Sequence, residues 1–185
     1  MDIISKVRNF VESECKKPTS HYGYEIFEFH LSEVANYAEK LADKLNANKE
    51  VVLISAWLHD IGAIIYGRKE HHITGAKIAE EKLTEFGYPK EKIELVKKCI
   101  LNHRGSVDNH RESIEEQIIS EADALANIEN VSGILKAAFI YEHLNQRQAK
   151  ISAREKIKRK WNQLKLKESK DLVREKFNAA MIVLS

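Results

Sequence analysis

Apolar residues recur at intervals of three and four along most of this chain, the spacing that lines one face of an α-helix. Ile3, Ile4, Val7, Phe10 and Val11 open the series and predict a first helix that stops before Pro18. Thr19 to Tyr24 reads as a turn. A long helix follows over about 25–45, with His30, Val34, Tyr37 and Leu41 on one face. Lys49 begins a third helix, and its run VVLISAWLHD is apolar almost all round, so this helix is expected to be buried. Residues 63–72, AIIYGRKEHH, predict a connecting loop. Helices are then expected over about 73–86 and 90–102, separated by Gly87 and Pro89. The polar stretch HRGSVDNHRE predicts a loop before helices over about 113–126, 128–145, 150–166 and 169–183. The pattern describes an all-α bundle of about eight helices. No linker divides it, so one domain over 1–185 is expected, with residues 131–185 packed on the rest.

Composition narrows the class. The chain has 185 residues, 43% of them hydrophobic and 31% charged, with only 7 Gly and 2 Pro, a scarcity of breakers that suits helices. A net charge of +2 gives no global nucleic-acid footprint. Cys15 and Cys99 form no CxxC pair and read as reduced thiols. The N-terminal MDIISKVRNFVESECKK lacks the continuous apolar region of a signal peptide, and no run approaches the ~20 apolar residues of a membrane span. A cytoplasmic protein is expected. The segment ISAREKIKRKWNQLKLKESKDLVREKF is basic in its first half. Its mixed Lys and Glu favour an amphipathic helix pair, packed through Ile151, Ile157, Trp161, Leu164, Leu172, Val173 and Phe177, over a nucleic-acid patch.

The chemistry begins where the buried third helix ends in His59 and Asp60. Polar groups at that place need partners, because an unpaired buried charge is very costly. Imidazole and carboxylate are common ligands for divalent metals. Consecutive side chains diverge on a helix, but local unwinding lets both reach one ion, or lets the carboxylate bridge two. The competing reading is a capping pair without metal. His30 alone would pass for a core histidine. Asp123, in EADALA beside Ile118, Ile119, Leu125 and Ala126, sits in too apolar a setting for a solvated position.

AWLHDIG, with an upstream His30 in FHLSEVANYAEKLA and a late Asp123 in EEQIISEADALANI, resembles the HD superfamily of metal-dependent phosphohydrolases over about residues 25–130. The resemblance implies that His30, His59, Asp60 and Asp123 hold a divalent metal (Mn, Fe, Co, Ni, Mg or Zn). His71 in HHITGAKIAEEKL and His103 in ILNHRGS resemble the ligands of a second ion, which Asp60 would bridge as a catalytic residue. The implied reaction is metal-assisted hydrolysis of a phosphate ester or anhydride, on a nucleotide or other small phosphorylated metabolite. Many relatives continue HDIGK, and some carry an acidic residue at the same place; here residue 63 is Ala. Arg68, Lys69 and Arg104 are expected to contact phosphate instead, and Glu70 to transfer protons. His72 competes with His71, His110 is placed on the rim or in solvent, and His21 and His143 are read as structural or exposed. Two alternatives share the ligand set: a di-iron oxygenase, marked by iron content and oxygen consumption, and a non-catalytic nucleotide-binding regulatory module. Neither membrane nor nucleic acid is an expected partner, and self-association stays open.

Overall fold

The computed structural model describes residues 1–105 and 110–185; residues 106–109 of the predicted polar loop lie outside the described residues. Among the described residues the chain forms ten α-helices, one π-helical turn and no strand. They are α1 (Ile3–Lys16), α2 (Ser32–Leu45), α3 (Lys49–Leu58), α4 (Ile61–Tyr66), α5 (His71–Glu85), α6 (Lys90–Asn102), α7 (Ile114–Glu129), α8 (Val131–Ile140), α9 (Gln146–Gln163) and α10 (Lys167–Val183), with the π turn at Phe27–Leu31.

The most apolar helices are the most enclosed. α7 buries residues along nearly its whole length, and it packs against α2, α3, α6, α9 and α10. α3 contributes Val51, Val52, Ile54 and Leu58, and α2 contributes Val34, Ala38 and Leu41, all without exposed surface. Each large aliphatic side chain removed from water in this way stabilises the fold by about 1.5–3 kcal/mol. Helix starts are capped by short polar side chains: Asp2, Asn48, Ser113 and Asn145 each accept an N–H from the first turn that follows. No single helix among the described residues is long and apolar enough to cross a membrane.

Three boundaries differ from expectation. The predicted loop over 63–72 begins as helix: α4 runs to Tyr66 because Ile61 and Ile64 are fully buried, and the turn shrinks to residues 67–70. The long helix over 25–45 is interrupted at its start by the π turn. There the Ser32 hydroxyl lies 2.6 Å from the carbonyl oxygen of Phe27 and 2.7 Å from that of Glu28. The expected helix over 128–145 breaks at Asn130. Its Oδ1 accepts the N–H of Gly133 at 2.8 Å and starts α8, while its Nδ2 donates to the Phe29 carbonyl in the π turn at 3.0 Å.

Candidate metal centre

His59 caps the C-terminus of α3 with near-helical dihedrals, and Asp60 breaks the run. Its φ of −108° and ψ of 10° depart from helical values, and its carboxylate caps no backbone N–H of α4. The carboxylate does not cap α4 and faces inward instead. Oδ2 lies 3.6 Å from Nε2 of His30 and 3.5 Å from Nε2 of His59. Oδ1 lies 3.5 Å from Nε2 of His71 and 3.7 Å from Nε2 of His103. One carboxylate thus faces two pairs of imidazoles, one pair on each oxygen. Asp123 closes the first group, with Oδ1 3.5 Å from Nε2 of His30. All six expected ligands converge, and five of them form two overlapping sets, His30–His59–Asp60 and Asp60–His71–His103, each compact enough to surround one ion.

The imidazoles are oriented by backbone. Nδ1 of His59 meets the Ala56 carbonyl at 2.8 Å, Nδ1 of His71 meets that of Arg68 at 2.9 Å, and Nδ1 of His103 meets that of Ile100 at 2.6 Å. A carbonyl only accepts, so Nδ1 carries a proton in each ring, and Nε2 is the atom left to offer a lone pair to an ion. This is the arrangement of metal-ligating histidines, whose far nitrogen is fixed by a hydrogen bond. Nε2 of His71 then faces Nε2 of His103 at 3.3 Å. Nε2 of His59 is buried with no hydrogen-bond partner. Both features fit a cation at the centre, and the neutral-imidazole and carboxylate donors suit a transition metal.

The two carboxylates favour positive charge between them. Burial works against a charged His59, but Asp60 and Asp123 outweigh it and push its pKa up to about 9. Burial, and then the charge of His59, press His103 down to about 4. Burial would raise Asp123, yet Lys160, His30 and His59 hold its carboxyl well below the usual range.

Close helix approach builds the cluster. A Cβ on Gly62 would meet the His71 carbonyl at 2.3 Å and the Gly75 backbone nitrogen at 2.6 Å, so only glycine lets α4 sit on the first turn of α5. That contact carries His71 to Asp60. It also decides between neighbours, since His71 enters the cluster and His72 does not.

The cluster lies at the bottom of a cleft of about 1190 Å³. Arg68 and Arg104 line it. Lys69 and Glu70 do not: both are exposed in the turn before α5, where Glu70 adopts a left-handed φ of 50° and offers its carbonyl to Ile73 and Thr74. The structure does not bring their side chains to the site. His21, read as structural or exposed, is exposed and stands at the cleft edge, while His110 and His143 are exposed outside its lining. The basic C-terminal segment is more than packing. α9 buries Ala149, Ala153 and Ile157, but Lys156, Arg159, Lys160 and Gln163 line the cleft. Lys160 Nζ pairs with Asp123 Oδ2 at 2.7 Å, and Asn127 donates to Asp123 Oδ1 at 2.9 Å. The sequence signal for this face was the spacing i, i+3, i+4, i+7 of its polar residues.

The family model for the HD domain matches residues 28–128, more than half of the chain. The chain belongs to the HD-domain family. This HD domain places its defining doublet at the α3–α4 break and its late aspartate on α7. A curated protein of Clostridium beijerinckii with no assigned activity is 34% identical over 54% of this chain and 63% of its own length. Other curated relatives are matched over smaller parts of their lengths, 36% and 18%. Among solved structures, Bacillus subtilis YpgQ in complex with ADP has a TM-score of 0.70 at 21% identity, covering 98% of this chain and 93% of that one. A predicted HD superfamily hydrolase from an uncultured Thermotogales bacterium has a TM-score of 0.56 at 24% identity, covering 83% of this chain and 84% of that one. These two likenesses concern the fold.

Proposed function

We propose that the protein is a metal-dependent phosphohydrolase acting on a phosphate ester or anhydride of a nucleotide or similar small phosphorylated metabolite. The observation that carries this reading is the Asp60 carboxylate, with His30 and His59 on one oxygen, His71 and His103 on the other, and the last two imidazole Nε2 atoms 3.3 Å apart. His30, His59, Asp60 and Asp123 would hold one ion, and Asp60, His71 and His103 a second. Bound divalent metal lowers the pKa of a water toward ~7 and polarises a phosphoryl oxygen.

The chain's own groups do the rest. Asp60 holds both halves of the cluster in one register. The carbonyls of Ala56, Arg68 and Ile100 keep the imidazoles in the liganding tautomer. Arg68 and Arg104 offer planar donors to phosphate oxygens. Lys160 fixes the Asp123 carboxylate and leaves its Oδ1 toward His30. The nucleotide part of the reading draws support from the ADP bound to the similarly folded YpgQ.

The test combines elemental analysis of purified protein with phosphate release from nucleotides and sugar phosphates under Mn, Co, Ni, Mg and Zn. Asp60→Ala is expected to lose both metal and phosphate release while its helical circular dichroism persists. Normal metal content in that variant would overturn the assignment.

A further inference from the structure

Among the described residues, six Lys and Arg side chains line the cleft against the carboxylates of Glu25, Asp60, Asp123 and Glu142. Lys160 is committed to Asp123, and Lys136 to Glu25. Arg68, Arg104, Lys156 and Arg159 also line the cleft, and none of the four has a carboxylate partner within 4.0 Å among the described residues. Two come from the His71–His103 side: the Arg68 carbonyl holds His71, and Arg104 follows His103. Lys156 and Arg159 come from α9, on the wall that carries Lys160 beside Asp123. Burial first, and then the like charges of Lys160 and Arg68, depress the pKa of Lys156, so cations from the two walls are near enough to repel. Like charges gathered around a cleft are stabilised by an anion that spans them.

We propose that Lys156 and Arg159 form a subsite for the phosphate groups of the substrate that are not attacked, which makes the preferred substrate class a compound with two or more consecutive phosphates. This rests on the phosphohydrolase reading for its place in a reaction, but its binding chemistry does not. A phosphate monoester engages the cluster with Arg68 and Arg104 and leaves α9 idle. A di- or triphosphate extends across the cleft to the α9 face, where Lys supplies a point charge and Arg a planar fork.

The experiment measures binding of inorganic tripolyphosphate and of orthophosphate by calorimetry, at physiological salt, to chelator-treated full-length protein. Wild type is expected to prefer tripolyphosphate by about tenfold or more, the scale of one or two charge-assisted contacts. Lys156→Gln/Arg159→Gln is expected to lose that preference with an unchanged melting temperature. Lys158→Gln removes a charge from the same helix, where Lys158 pairs with Glu155, and is expected to bind as wild type. Equal losses in both variants, no loss in either, or no preference in wild type would each overturn the subsite. So would tighter binding of a ten-nucleotide RNA than of tripolyphosphate, which would assign the face to nucleic acid. Tripolyphosphate binding without phosphate release on any substrate would keep the subsite and sink the hydrolase.

Discussion

Each histidine on the Asp60 Oδ1 side hangs from a carbonyl three residues earlier in its own chain, so ring orientation is set locally and before any ion arrives. Removing one ring should therefore damage one half of the cluster. His103→Ala is expected to weaken one of two metal equivalents by at least about tenfold more than the other, read by calorimetric titration. Uniform weakening would mean that the halves are not separate. The buried thiols give a residue-scale pH dependence. Burial pushes Cys15 and Cys99 up to about 12, against about 8.5 in an unfolded chain. A raised folded value for a thiol means its neutral form is favoured by folding. That stability is complete below about pH 8.5 and is lost as pH rises toward 12. At pH 10 the loss is about 2 kcal/mol per thiol. Denaturant midpoints should fall between pH 8 and 10 in wild type, and fall less in Cys15→Ala/Cys99→Ala.

At the scale of elements, the contact between Gly62 and the start of α5 couples the doublet to His71. Gly62→Ala is expected to force α4 and α5 apart, costing about 1–3 kcal/mol in urea unfolding and weakening the His71–His103 half more than the His30–His59 half. Unchanged metal binding would show that α5 is positioned by something else. The doublet itself was legible, because a buried helix that ends in two polar residues announces a buried polar site. The break that aims Asp60 was anticipated as local unwinding. The π turn was not legible, since one inserted residue leaves the apolar spacing of residues 34–41 untouched. α4 was missed because six residues are too few to establish a period. The side chains of Arg68, Lys69 and Glu70 could not be ranked either: they share one turn, and only the backbone path decides that Arg68 enters the cleft.

Across the whole molecule, the six converging candidate ligands come from the π turn, the α3–α4 break, α5, the end of α6 and α7. A bound ion ties these segments together in the folded state alone. Excess metal is expected to raise the unfolding free energy by about 2.7 kcal/mol at a hundredfold excess over Kd. In Asp60→Ala the same addition should leave the melting temperature where it was. The order of the candidate ligands along the chain was readable through the family resemblance, since His30 alone would pass for a core histidine. The contribution of α9 was not, because its cations reach the cleft only once Ala149, Ala153 and Ile157 have packed.

Asn130 ends α7, starts α8 and, through one amide, holds the carbonyl of Phe29 beside His30. The first imidazole of the cluster is thus hooked to a corner a hundred residues later in the chain. Amide hydrogens in the π turn and at Gly133 should exchange with deuterium in step, and Asn130→Ala should release both together. The earliest ligand of the motif is then only as steady as the seam that follows the latest one.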